Sequence, residues 1–482
     1  MTKTEHKRRE ILTGNLWKVI ISITFPLFCY EIFNSLYSLI DQVMVSNISS
    51  LAVSAVASTQ QIRNLFSAFS SGLAAGGAIV IARKYGAGEV EDCKKDANNM
   101  FMIGLVMILI LLCLMPFSSE ILRICGTPEE LISIASTYFM FQLLEQAIIV
   151  VNNIFVGTEK SKGNTKLVFK ANMALMIIKL ILNAILIYVV KITDLEYVEI
   201  ATICGQLVLF TIAVTTLFNK TNIFRIEPSY LKPDFKRIGH IIKMSFPLFL
   251  GKFVISFGKV GVNALCKNYG AYAVGALGVS NNITGLITSG SSTFEDSESS
   301  IVSQNLGNKN MKRTLKVFRI CMTLCLIWGT VGYICVRFLF QDQIINLFNN
   351  TNDAEEFILT IKQVFKYASL TIPALAINSA VLGLLYGYGQ TFLSTVNNIL
   401  RIAIRIGSLL YFETFMPEMG VEAVGWSMAL SNVAIGIMAL IFLTIFMIKT
   451  HKQGYKDMTY NDPEPEMIEV DGVLMNKALL NN

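Results

Sequence analysis

Twelve ionisable residues stand out among those inside the long apolar runs of this chain. Six are acids (Glu31, Asp41, Glu145, Glu295, Asp296 and Glu298) and six are bases (Arg63, Lys179, Lys252, Lys259, Arg401 and Arg405). A charge in hydrocarbon is costly, so each marks a functional hypothesis and needs a partner or water beside it. Such groups can exchange protons, hold a small cation or neutralise a charged cargo. Equal numbers of acids and bases do not fit a pocket tuned solely for cations. No nucleophile–base pair, metal motif or phosphate loop accompanies them, so enzyme chemistry is not expected. The three histidines, His6, His240 and His451, lack metal-ligand spacing. The nine cysteines are scattered and odd in number, and read as packing residues.

The runs that must position these residues set the class of protein. Of 482 residues, 53% are hydrophobic and only 15% charged, against about a quarter charged in a soluble domain. Twelve segments can each cross a ~30 Å hydrocarbon core as a helix: roughly 17–45, 51–82, 97–117, 131–156, 167–190, 198–218, 240–266, 272–303, 315–340, 357–386, 392–415 and 421–448. The charged start (Lys7, Arg8, Arg9, Glu10) and the long first segment argue against a cleavable signal peptide. Lysine and arginine crowd the N-terminus and the loops 83–95, 157–166, 219–243 and 304–319. The positive-inside rule then makes both termini cytoplasmic, and an even number of spans, which puts both on one side, fits that result. Basic residues dispersed over loops give no nucleic-acid signal.

A rise of ~1.5 Å per residue places Glu31, Arg63, Glu145 and Lys179 near the bilayer middle. Two acids and two bases at one depth can form a structural ion-pair network or face a substrate. Asp41 lies shallower, at a depth where Asn183 of the fifth segment can meet it. In the second half Lys252 and Lys259 are seven apart and Arg401 and Arg405 four apart, so each pair shares a helical face. The acids Glu295, Asp296 and Glu298 stand where the first half has "AAGG" (74–77). Small packing residues in one half have become acids in the other, which points to a cleft or an adjoining polar pocket. Glu295 or Glu298 could also simply pair with Lys252.

That comparison rests on an internal repeat. "FPLF" occurs at 25–28 and 246–249, and Pro247 lies 221 positions after Pro26. At the same shift "LAVSAVAST" (51–59) falls on "YAVGALGVS" (272–280), and Gly86 falls on Gly307. Both prolines sit early in the first helix of a half, where a missing N–H permits a bend. Two six-helix halves with the same orientation imply a pseudo-two-fold axis along the membrane normal.

These stretches resemble the multidrug and toxic compound extrusion (MATE) family of secondary transporters. The resemblance runs over about 14–448 and includes "SLYSLIDQVMVS" (35–46), "RKYGAGE" (83–89), "GTEKSKGNTK" (157–166), "SQNLGNKN" (303–310), "GLLYGYGQT" (383–391) and "LRIAIRI" (400–406). It implies export of small amphipathic molecules or drugs by alternating access, in exchange for H⁺ or Na⁺ and without another cofactor. The carboxylate positions of the NorM-like branch fall on Ile255 and Leu375. The DinF-like branch fits better. Its first-helix acid matches Asp41, and its fifth-helix pair matches Lys179 and Asn183 in "IIKLILNAILIY" (177–188). A lysine in place of a neutral amide turns the expectation from Na⁺ toward H⁺. A flippase for a lipid-linked precursor on the same fold is the alternative.

The expected architecture is an all-α membrane protein of twelve transmembrane helices in two bundles. The first lobe spans 1–218, a cytoplasmic linker 219–239, the second lobe 240–448, and a poorly ordered polar tail 449–482. A monomer in the plasma membrane is expected, with a small-molecule substrate, the bilayer as its partner and no nucleic acid.

Overall fold

The computed structural model describes residues 3–46, 50–125, 129–191, 195–270, 272–346, 354–452, 467–470 and 473–476. Twelve long helical stretches follow in order: α1 (Leu16–Ser46), α2 (Ser50–Ala87), α3 (Val90–Leu114), α4 (Glu129–Ser161), α5 (Thr165–Ala184), α6 (Leu195–Leu217), α7 (Phe235–Cys266), α8 (Ala273–Gly307), α9 (Met311–Ile334), α10 in two pieces (Ala354–Ser369 and Ile372–Gly387), α11 (Phe392–Phe415) and α12 (Glu422–Lys452). Among the described residues, nine helices are long and apolar enough to cross a membrane, and the two pieces of α10 make a tenth. The other two, α8 and α11, are those carrying Glu295, Asp296, Glu298, Arg401 and Arg405. Outward side chains such as Val106, Leu109 and Ile110 of α3 are 59%, 63% and 54% exposed. Lipid is the medium that covers such a face.

Pro26 and Pro247 both lie inside continuous helices. Each lacks an N–H, so the carbonyls of Ser22 and Lys243 lose their helical donors and the helix can bend there. In α10 the proline effect is complete. Pro373 is the second residue of the second piece, and the two pieces meet at 45°. The Thr371 hydroxyl closes the break by donating to the Ala368 carbonyl at 2.7 Å.

The chain divides into two compact units. One holds Met1–Phe249, Ser303–Lys309 and Glu464–Asn482; the other holds Leu250–Val302 and Asn310–Pro463. The division falls inside α7, not at the expected linker, because 219–239 is packed onto the first unit. Asn98 of α3 donates to the Arg225 carbonyl at 3.2 Å and accepts from the Glu227 N–H at 3.0 Å. Arg237 reaches Asp92 at 2.6 Å and Asp96 at 3.0 Å. In the N-terminal helix Lys3–Thr13, Arg8 lies over the Tyr85 ring, 5.2 Å from its centroid, and Lys7 donates to Asn164 at 2.9 Å.

The repeat has a physical signature within the first unit. A Cβ on Gly86 would fall on the Gln304 carbonyl oxygen, and a Cβ on Gly307 on the Arg83 carbonyl oxygen, both far closer than 3.0 Å. Gln304 lies 221 positions after Arg83, as Gly307 does after Gly86. The ends of α2 and α8 therefore cross backbone to backbone through equivalent residues, and only glycine fits at either. The tail departs from expectation. Its described residues form an antiparallel hairpin of β1 (Met467–Val470) and β2 (Val473–Asn476).

Candidate functional site

In the first unit a group of charges meets where α2, α4, α5 and α6 come together. Arg63 of α2 donates to Glu145 of α4 at 2.9 Å, and Glu145 is 0% exposed. Gln206 of α6 donates to the same carboxylate oxygen at 3.4 Å and accepts from Asn152 at 2.9 Å. A fourth charge is one that the sequence reading missed. Glu199, in the second turn of α6, is buried, hydrogen-bonded to Tyr138, and within electrostatic reach of Glu145, Arg63 and Lys179. Lys179 of α5 packs at Gly205 of α6, where an added Cβ would lie 3.1 Å from the lysine Cβ. Two carboxylates and two cations therefore share one site with formal charges that sum to zero. The signal was present in "YVEIATIC" (197–204). An acid so near a helix start reads as a favourable dipole partner, which hides it.

The predicted residues meet this cluster unevenly. Arg63, Glu145 and Lys179 belong to it. Glu31 sits half-buried on α1 beside Tyr30, and Ser35 donates to its carbonyl at 2.9 Å. Asn183 is 0% exposed on α5, just before the helix widens into a π-helix at Ile185–Val190. Of Asp41 the backbone lies in α1, but its side chain is outside the described residues.

In the second unit the charges separate by sign. Glu295 of α8 bonds Ser379 and lies near Asp296 and Lys252. Asp296 is exposed, whereas Glu298 is 0% exposed. Among the described residues, neither carboxyl oxygen of Glu298 has a hydrogen-bond partner. Its surroundings are Cys321 and Cys325 of α9 and the bare backbone of Gly383, where a Cβ would meet Glu298 Oε2 at 2.8 Å. The shared helical face of Lys252 and Lys259 does not carry a shared role: Lys252 lies with the acids and Lys259 with the arginines.

Those arginines hang from one amide. Arg401 donates through Nε and Nη2 to Asn432 Oδ1 of α12 at 3.1 and 2.8 Å. Arg405, 5% exposed, donates to the same oxygen at 3.0 Å and to Ser431 at 3.0 Å. The Asn432 amide in turn donates to Thr371, at the break in α10, at 2.9 Å. Asn432, Ser431 and Thr371 were not singled out from sequence because neutral polar residues in an apolar run carry no distinctive pattern. Among the described residues, no group of three or more metal-ligating side chains converges.

Known proteins place this geometry. The chain is 22% identical over 349 residues to the probable multidrug resistance protein YoeA of Bacillus subtilis, covering 69% of this chain and 74% of that one. It is 21% identical over 443 residues to the multidrug export protein MepA of Staphylococcus aureus, covering 89% and 94%. It is 20% identical over 446 residues to an FAD transporter of Shewanella oneidensis, covering 89% and 95%. A solved MOP superfamily transporter from Pyrococcus furiosus, described as having a binding pocket of reverse polarity, superposes with a TM-score of 0.87 at 19% identity, over 94% of this chain and 99% of that one. The MatE family model matches twice, at 26–185 and at 247–408, one match for each half of the repeat. The chain belongs to the MatE family: it is a multi-pass membrane transporter and not an enzyme.

Proposed function

We propose that this transporter exports small amphipathic organic molecules across the plasma membrane in exchange for protons. It works as a monomer by alternating access, with both termini cytoplasmic. The observation that carries proton over sodium coupling is the occupancy of the first-lobe acids. Glu145 already holds Arg63, and Glu199 already lies beside Lys179. A sodium ion entering that cluster meets two fixed cations, and unit charges ~4 Å apart repel by ~4 kcal/mol at an effective dielectric of 20. A proton needs no coordination shell and binds one carboxylate directly. Protonation of Glu199 leaves Lys179 unbalanced against α6, which gives the α5–α6 pair two states for a gradient to bias. Asp41, Lys179 and Asn183 form the proposed coupling set, and Glu199 joins them.

The test is transport of a cationic dye such as ethidium in proteoliposomes, driven by an imposed pH gradient, for Asp41→Asn and Glu199→Gln. Both variants are expected to lose uphill transport while retaining binding and folding. Undiminished transport in both overturns this assignment. A lipid-linked precursor flippase is the second reading, favoured by the Lys259, Arg401 and Arg405 group. Headgroup scrambling of such a lipid, independent of a pH gradient, distinguishes it.

A further inference from the structure

Three cations stand together in the second lobe with no acid among them. Lys259 of α7 has Arg401 and Arg405 as its charged neighbours. Gly258 beside it packs on Ile402, within 3.0 Å of where a Cβ would go, so α7 and α11 are in close contact at this level. The partners of the two guanidinium groups are Asn432 and Ser431, which are neutral. Among the described residues no carboxylate pairs with any of the three. A single amide oxygen thus orders two guanidinium groups without neutralising either. Lys259 is exposed, and no described side chain accepts from its ammonium. Three positive charges in a membrane-embedded lobe demand anionic compensation, and an array of guanidinium forks plus an ammonium matches carboxylate or phosphate oxygens.

We infer that Lys259, Arg401 and Arg405 form an anion subsite, which receives a phosphate or carboxylate group of the transported molecule. This rests on the exporter reading and adds a class of cargo to it: amphiphiles with an anionic end. The site is braced before the ligand arrives, because Asn432 fixes both arginines while holding Thr371 at the α10 break. Preset geometry reduces the ordering that binding requires. An anion bound here connects to the bend in α10 through the arginines, Asn432 and Thr371.

The full chain in detergent is titrated with inorganic pyrophosphate at constant ionic strength, and thermal unfolding is followed. Saturable stabilisation is expected, and tetraphenylphosphonium, a cation, is expected not to compete for the site. Lys259→Gln, which breaks no hydrogen bond, is expected to weaken pyrophosphate binding about tenfold, the order expected for one charged contact. Lys259→Glu abolishes it, and Lys259→Arg retains it. Stabilisation that is absent, or unchanged in Lys259→Glu and Arg401→Gln, overturns the site. Nanodiscs of phosphatidylglycerol against phosphatidylcholine identify the source of the anion. Displacement of pyrophosphate by the former assigns the site to a lipid headgroup; indifference assigns it to a soluble cargo. Pyrophosphate binding without proton-driven transport keeps the site and overturns the exporter reading; ethidium export without pyrophosphate binding does the reverse.

Discussion

The two lobes descend from one repeated pattern but treat buried charge in opposite ways. In the first, Arg63, Glu145, Lys179 and Glu199 come together from four helices and sum to zero. In the second, acids collect on α8 against α9 and α10, and bases collect where α7, α11 and α12 meet. Pairing within a low-dielectric site is a stable arrangement whose rupture is costly. Segregation leaves Lys259, Arg401 and Arg405 without a carboxylate among the described residues, which suits a site that must bind something. Duplication preserved the backbone contact at Gly86 and Gly307, while the electrostatics of the halves diverged. A repeat therefore transmits a fold more faithfully than it transmits a site.

The largest expected effect tests what the halves still share. Gly86→Ala and Gly307→Ala each push a methyl into a carbonyl of the facing helix, and neither backbone can yield cheaply. Each is expected to lower stability by about 3 kcal/mol or more, measured by thermal unfolding in detergent. Similar losses for the two support the equivalence; a large loss in one alone breaks it. Next comes the contrast in pairing. Arg63→Ala strands Glu145, which is 0% exposed, and is expected to lose about 3–5 kcal/mol. The double variant with Glu145→Ala should recover much of that, as a double-mutant cycle would show.

The matching change in the second lobe should behave differently. Among the described residues Glu298 has no ion pair to lose, so Glu298→Gln is expected to shift stability by no more than about 1 kcal/mol. A loss as large as that of Arg63→Ala would remove the distinction between the lobes. The smallest effect lies in the loop packed on the first unit. Arg225 hydrogen-bonds Glu227 and holds its carboxyl below its usual 4.5. A depressed folded value means that any stabilisation from Glu227 is complete above that usual value. It is lost as pH falls through the lowered one. Glu227→Gln should therefore match the parent below that window and differ only slightly above it.

Much of this fold was legible because periodic apolar runs, basic loops and a 221-residue shift are long-range patterns. The packing of 219–239 was not legible, because a basic loop reads alike whether solvated or docked. The reach of Asn98 and Arg237 shows that it is docked. Site residues were legible as types and not as partnerships. Sequence placed Arg63, Glu145 and Lys179 at one level but could not choose among their pairings. It paired Lys252 with Lys259 by helical face, and a helix seven residues on meets different neighbours. Glu199 was hidden by its closeness to a helix start, and Asn432 by its neutrality.

The central claim is that a proton gradient drives this exporter. The direct measurement is ethidium accumulation in proteoliposomes of the parent chain, with pH and Na⁺ gradients imposed separately at zero membrane potential. Uphill accumulation with the pH gradient alone, unchanged by Na⁺, is the predicted result. Accumulation that requires the Na⁺ gradient and ignores pH would contradict it.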